Sequence, residues 1–390
     1  MTRKRHRPRL AKRTNGSRLS ATDTSKMPVY KKDSAIGKAA EKWNQHTETR
    51  FGKDLGISWW EAGTEIQRHI NRKTSGRPDV GWIQYTLDTH HADLKPSQTR
   101  FVSLGCGTGG LERAIAKLVR FKEFDAYDVS EKSVEKAREL ASAEGLRGIN
   151  YLVSDVNQIR LQQSSYDAVW VNAAMHHFDN LEHICGEIAL GMKPNGVLVM
   201  QEYIGPNRFQ FPERQKDIAN HCINLLPERY RTLVPEALER QSKLPAVGQR
   251  AFLRKVLNRA RNGDLLGAVR HRLHMRRGIR SGQLPKKTCV DFPTEQGVIL
   301  SDPSEAVRSE DILPVVRQFF EITEKRDWGG NLVQFLLADI AGNFVSGGEE
   351  GSALLQMLLN IEDTLISCGE LRSDFAYIVA RPLRTKPSRM

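Results

Sequence analysis

The chain has 390 residues, 39% of them hydrophobic and 27% charged, which is an ordinary globular balance and enough length for one large domain with insertions or for two domains. No apolar run approaches the roughly 18 residues a membrane span needs, and the basic N-terminus lacks the apolar core of a signal peptide. The formal charge of +13 is uneven: residues 1–32 carry +10 and residues 250–287 carry +11, so the remaining body is acidic. The five cysteines (Cys106, Cys185, Cys222, Cys289 and Cys368) are scattered and lack C-x-x-C spacing. They predict reduced thiols in a cytoplasmic protein, with neither a disulfide frame nor a zinc site.

Residues 1–33 hold almost no large apolar side chains and predict a disordered basic tail. Residues 34–99 predict a helical N-terminal extension. Its Trp43, Phe51, Trp59, Trp60, Ile66, Ile70, Trp82 and Tyr85 can pack on the body or cover part of a site. Gly76-Arg77-Pro78-Asp79 marks a turn, and His90-His91 reads as exposed linker.

From residue 100 strands alternate with helices, the pattern of a parallel sheet covered on both faces. Strands are predicted near 101–104, 122–128, 149–154, 166–172 and 196–203. The first runs into Gly105-Cys106-Gly107-Thr108-Gly109-Gly110 and then into a helical pattern. Such a turn needs positive φ angles and presents backbone N–H groups and a helix N-terminus to a ligand. Its spacing permits a dinucleotide fingerprint, with a third glycine at Gly110. Ligands in such sheets bind where strands end, so the strand tips are the informative residues. Asp128 ends the second strand, placed to accept from two ribose hydroxyls, with Asp125 as the competing acid. Asp155 ends the third and could equally cap the next turn. Asn172 ends the fourth, followed by Ala173-Ala174-Met175-His176-His177. Adjacent histidines are expected to point apart, with no acidic partner spaced to complete a metal site, so no metal is expected. Glu202 and Tyr203 end the fifth strand; both are expected at the rim, as proton acceptors or substrate anchors. The bland alternative has Tyr203 packed under a lid and Glu202 paired with Arg208 or Arg214.

Residues 207–303 break the alternation and predict a basic helical insertion, with helices near 218–226, 246–260 and 265–273, placed as a lid above the site. Basic amphipathic helices suit an anionic membrane surface, RNA or a phosphate-bearing substrate, or are simply solvated. Asp302-Pro303-Ser304 reads as a helix start, with Ser304 as the candidate cap. A sixth strand near 320–325, helices over 332–344 and 353–368, and a last strand over 374–381 follow, then a basic tail over 384–390.

The run LGCGTGGLE, the acid at Asp128, Asp155, the fourth-strand tip and the Lys193-Pro194-Asn195-Gly196 turn together resemble class I S-adenosylmethionine-dependent methyltransferases. One departure is Ser103, where most members carry an acid. The resemblance implies a doubly wound, mostly parallel, seven-stranded Rossmann-like α/β sheet over residues 100–206 and 304–383, with its last strand antiparallel beside the fifth. It implies S-adenosyl-L-methionine as cofactor. Gly105, Cys106, Gly107, Gly109, Asp128, Val129, Asp155, Val156 and Asn172 would bind it, Asp155 receiving the adenine amino group. It leaves His176, His177, Glu202 and Tyr203 as catalytic candidates. The form of the motifs also looks like a bacterial subgroup associated with polysaccharide or glycolipid biosynthesis. The leading expectation is a cytoplasmic enzyme methylating a small-molecule, glycan or lipid-linked acceptor, peripheral to the membrane if its basic helices rest on headgroups. An RNA methyltransferase and a non-catalytic cofactor-binding protein are the alternatives, and the sequence does not identify the acceptor atom.

Overall fold

The computed structural model describes residues 34–50, 63–234 and 285–383. The basic tails, Phe51, Trp59, Trp60 and the helices predicted at 246–260 and 265–273 lie outside them. Seven strands form one sheet: β1 (Arg100–Leu104), β2 (Glu123–Asp128), β3 (Ile149–Val153), β4 (Tyr166–Asn172), β5 (Met192–Tyr203), β6 (Phe320–Gly329) and β7 (Phe375–Pro382). Their order is β3-β2-β1-β4-β5-β7-β6. The first five are parallel, while β7 runs antiparallel between β5 and β6. The direction of winding reverses between β1 and β4, and a crevice opens at such a switch point outside the carboxyl ends of the strands.

The central strands β1, β4 and β5 are apolar through their middles, where both faces are covered. On one face Val102, Val169, Val171, Met200 and Ile378 meet Ile184, Ile188 and Val316 of α6 (Leu181–Gly191) and α9 (Ile312–Phe319). On the other, Phe101, Trp170, Val199 and Tyr377 meet Leu111 and Ile115 of α4 (Gly110–Leu118) and Leu87 of α3 (Trp82–His90). Trp82 meets Trp170 and Tyr377 with tilted rings and Tyr85 meets Tyr377 edge-to-face, so these two aromatics serve the core. The His90-His91 pair is no exposed linker. His91 is buried between the Phe101 and Trp170 rings, and burial pushes its imidazole down to about 4. His90 meets Glu324 at 3.2 Å. Both end up inside because α3 lies flat across the sheet, a packing that local polarity cannot foretell.

A second core stands beyond the ends of β5, β6 and β7. There α7 (Glu213–Ile223) packs with α10 (Val333–Leu337), α11 (Ala341–Ser346), α12 (Gly348–Ser367) and Ile66 and Ile70 of α2 (Thr64–Ser75). The helix expected over 332–344 is therefore two. Asp339 adopts a φ of 67° and breaks it, while buried Glu362 of α12 caps the first piece by accepting from the N–H groups of Gly330, Leu332 and Val333. The helix start expected at Ser304 is also displaced. Helix α8 (Glu295–Ser301) ends before it, residues 303–308 form turns, and α9 begins at Ile312. No helix among the described residues is long and apolar enough to cross a membrane.

Candidate active site

The four strand tips that line the crevice hold the predicted cofactor residues together. Gly105 and Gly107 have φ of 75° and 52°, and Gly109 has φ of 75°. At Gly105 the reason is close approach: a Cβ would come within 2.4 Å of the Ala174 Cβ, so only glycine lets the loop of β1 lie against the loop of β4. At Gly107 a Cβ would meet nothing within 4 Å, so this residue faces open space. The loop's N–H groups are not the free donors that its sequence suggests. Gly105 and Cys106 both donate to the Tyr127 carbonyl, Gly109 donates to the Cys106 carbonyl, and Gly107 donates to Asp128 Oδ2 at 2.8 Å. The Cys106 thiol is buried beside Glu112 and Asp128, and burial holds it well above the usual thiol range.

Asp128 also accepts from Ser130 N–H at 2.8 Å through Oδ1. Each oxygen has one donor and a further lone pair for a ligand. Burial raises its carboxyl above the usual value, against the pull of these backbone bonds. The competitor Asp125 is committed to the fold, accepting from the Tyr166 hydroxyl at 2.9 Å and from Asn150. One strand over, Asp155 takes the capping role: it accepts from Asn157 N–H, the Asn157 amide and the Gln158 amide. Val156 is buried beside it, Val129 is half-buried, and Asn172 is exposed at the tip of β4.

The acceptor side differs most from expectation. Glu202 is fully buried, not at the rim, and pairs with neither Arg208 nor Arg214. Its Oε2 accepts from Ala174 N–H at 2.9 Å and Met175 N–H at 2.7 Å; its Oε1 accepts from Tyr203 N–H and bonds His176 Nδ1. Tyr203 is likewise buried, its hydroxyl donating to the Pro206 carbonyl at 2.9 Å among the rings of Phe209 and Phe375. Both sit below the surface because β5 continues into the second core instead of ending at solvent.

Nor do the two histidines point apart. They lie in a 3-10 turn (Met175–His177) whose ring centroids are 4.2 Å from one another. Glu305, far away in sequence, completes the group: its Oε1 is 3.4 Å from His176 Nε2. One nitrogen of each histidine and one Glu305 oxygen all lie within 4.8 Å. Burial works against charge on His176, but Glu202 and Glu305 outweigh it and lift its imidazole to about 10. Burial and the neighbouring His176 charge push His177 down. Glu305 is held at about 2 by both histidines and Lys42 in spite of burial. Above them Trp43 of α1 (Ala35–Arg50) meets the His177 ring edge-to-face, while Asn44 Oδ1 accepts from the Ser130 hydroxyl and from Lys132 N–H. Helix α1 thus spans from the loop after Asp128 to the histidines.

Sequence did not single out Glu305, and it read Asp302 and Ser304 only as a helix start and Trp43 only as one of several aromatics that pack on the body or cover part of a site. The only available signal was that Asp-Pro-Ser-Glu follows the insertion, where the chain returns to the sheet.

Residues 102–200 match the family described as a methyltransferase domain. Over 164 residues the chain is 25% identical to a malonyl-[acyl-carrier protein] O-methyltransferase of Halalkalibacterium halodurans, covering 41% of this chain and 58% of that protein. Over 173 residues it is 28% identical to a sterol 24-C-methyltransferase of Aspergillus fumigatus, covering 43% and 45%. The chain thus spans about half the length of the curated relatives it matches. An S-adenosylmethionine-dependent methyltransferase from Mesorhizobium loti is similar in structure at 15% identity, with 76% and 97% of the two chains covered and a TM-score of 0.37. Residues 102–200 thus match a methyltransferase domain, and they span most of the first five strands together with the tips of β1 to β4.

Proposed function

We propose that the protein transfers the methyl group of S-adenosyl-L-methionine to a small-molecule acceptor. The observation that carries this reading is the Gly107–Asp128 pairing across the tips of β1 and β2, beside the β1–β4 switch point of a sheet whose first five strands match a methyltransferase domain. The sulfonium is already activated, so the protein's task is to align acceptor and methyl and to exclude water. Asp128 holds the ribose, Gly107 leaves room for the cofactor, and Asp155 and Val156 flank the adenine. His176, His177 and Glu305 contact the acceptor. Glu202 orients His176 and ties the turn that carries it to β5, a positioning role, and Tyr203 packs behind it.

The names of the two relatives support a small or lipid-like acceptor and differ in the methylated atom, oxygen in one and carbon in the other. Glycan acceptors rest on the sequence resemblance, while lipid-linked acceptors and the RNA alternative rest also on basic segments that lie mainly outside the described residues. The test is calorimetric titration of the full chain with S-adenosylhomocysteine, followed by transfer of labelled methyl to pooled small metabolites and lipids. Absence of cofactor binding would overturn the reading.

A further inference from the structure

We propose that His176, His177 and Glu305 form a binding site for a divalent transition-metal cation such as Mn2+, Fe2+, Co2+ or Zn2+, with Glu202 and the Asp302–Ser304 pair orienting the histidine ligands. The first observation is the donor set. Two imidazoles and one carboxylate within 4.8 Å of one another are the composition of sites that bind such cations and leave further positions open. Ligands about 2.1 Å from a common ion stand roughly 3–4 Å apart, so side-chain shifts of about an ångström close the site.

The second observation is the surroundings of each ring. Metal-bound histidines use one nitrogen as ligand and give the other N–H to a carboxylate or similar acceptor, which fixes the tautomer. Both rings have that arrangement. His176 Nδ1 is bonded to the fully buried Glu202, leaving Nε2 on the side of Glu305. Ser304 Oγ donates its one proton to Asp302 Oδ1 at 2.6 Å and so accepts from His177 Nδ1 at 3.1 Å, which leaves the lone pair of His177 on Nε2. Two independent carboxylate relays thus hold two adjacent rings in the tautomer that a metal requires.

The third is charge. Glu202 and Asp302 are both fully buried and Glu305 is half-buried; among the described residues two groups set positive charge against these three carboxylates, Lys42, 3.4 Å from Asp302 Oδ2, and the His176 ring between Glu202 and Glu305. Asp302 Oδ2 makes no hydrogen bond. The contact of His176 Nε2 with Glu305 is long at 3.4 Å, so these two groups do not satisfy each other well. Buried carboxylates in excess of their counter-charges are costly, and a cation at the centre of the group offsets this. Arg208 fixes the turn that presents Glu305, donating to the carbonyls of Pro303 and Glu305 at 2.7 and 2.8 Å. The site lies beside Ala174, against which Gly105 packs, so an ion there faces the acceptor side of the crevice. Its use there, coordinating an acceptor oxygen, rests on the methyltransferase reading, whereas the site itself does not.

The test uses the full-length, tag-free chain stripped with a chelator and titrated with Mn2+, free ion being read by electron paramagnetic resonance. About one Mn2+ per chain is expected, with affinity about tenfold or more weaker in His177→Ala, Glu305→Gln and Asp302→Asn. His221→Ala, on the exposed face of α7, should bind as the parent does. Glu305→Gln keeps size and shape, so it answers even if His177→Ala fails to fold. No stoichiometric Mn2+, or equal affinity in Glu305→Gln and the parent, overturns the proposal. S-adenosylhomocysteine titrated into the same samples separates the readings, since its binding does not depend on the ion.

Discussion

Gly107 donates its N–H to Asp128 Oδ2 at 2.8 Å, a side-chain bond that joins the glycine loop of β1 to the tip of β2 beside the two backbone bonds to the Tyr127 carbonyl. The carboxylate therefore does two things at once: it shapes the loop and keeps a lone pair on each oxygen for a ligand, the proposed ribose. Asp128→Ala removes both, and Gly107→Ala puts a methyl into open space at a φ of 52° that L-residues rarely adopt. Each variant should lose about tenfold to 100-fold in affinity for S-adenosylhomocysteine while remaining folded, as lost charge-assisted hydrogen bonds of about 1.5–3 kcal/mol imply. Parent-like affinity in the Asp128 variant would remove that residue from the site.

Glu202 accepts from three backbone N–H groups and one imidazole, all out of reach of water. A glutamine there keeps one acceptor oxygen and sets an NH2 against two of those donors. Glu202→Gln should therefore lower stability by about 3 kcal/mol and reduce turnover far more than cofactor affinity. Denaturant melts and single-turnover assays read the two effects separately. A variant as stable as the parent, with full activity, would mean that Glu202 neither braces the turn nor orients His176.

These residues show what the sequence could and could not reveal. The strands, the glycine loop and the place of Asp128 were legible because each rests on local pattern: alternation, a glycine cluster and an acid at a strand tip; the antiparallel direction of β7 came from the family resemblance instead. Gly105 was legible as a turn residue, but its contact with Ala174 was not, since that contact needs β1 beside β4. Glu202 looked like a rim residue because a strand was assumed to end at solvent; only the second core behind β5 buries it. Glu305 meets His176 across a long intervening stretch of chain, so no spacing rule could have paired them. The basic insertion, the strongest compositional signal, lies mainly outside the described residues.

Glu112 carries a pH signature. It is fully buried on α4 near the Ser103 hydroxyl, and neither carboxylate oxygen makes a good hydrogen bond. Burial lifts its carboxyl from 4.5 to about 7. A folded value above the unfolded one means that the folded state binds the proton more tightly. Its contribution is complete below pH 4.5 and is lost as pH rises through about 7, a span worth about 3 kcal/mol. Glu112→Gln, which cannot ionise and can accept from Ser103, should flatten the stability curve between pH 4.5 and 7. Parallel curves for parent and variant, from urea melts across that range, would show that Glu112 ionises normally in the fold.

Helix α1 touches both sides of the crevice, and its two contacts should separate in kinetics. Asn44 accepts from the Ser130 hydroxyl at 2.9 Å and from Lys132 N–H at 3.1 Å, just past Asp128, so it braces the cofactor side. Trp43 meets the His177 ring edge-on at a centroid distance of 5.4 Å, so it shapes the acceptor side. Asn44→Ala removes an acceptor from two donors near the ribose end and should speed dissociation of S-adenosylhomocysteine several-fold, since bonds of this kind contribute about 1 kcal/mol each. Trp43→Ala removes an edge-to-face contact of about 0.5–1.5 kcal/mol together with its apolar area. It should raise the KM for the acceptor while leaving cofactor affinity within about twofold of the parent, a change of less than 0.5 kcal/mol. Stopped-flow displacement measures the first effect, and steady-state kinetics with varied acceptor measures the second. If both substitutions shift cofactor and acceptor parameters equally, α1 moves as one rigid cover, and the division of labour between Asn44 and Trp43 is wrong.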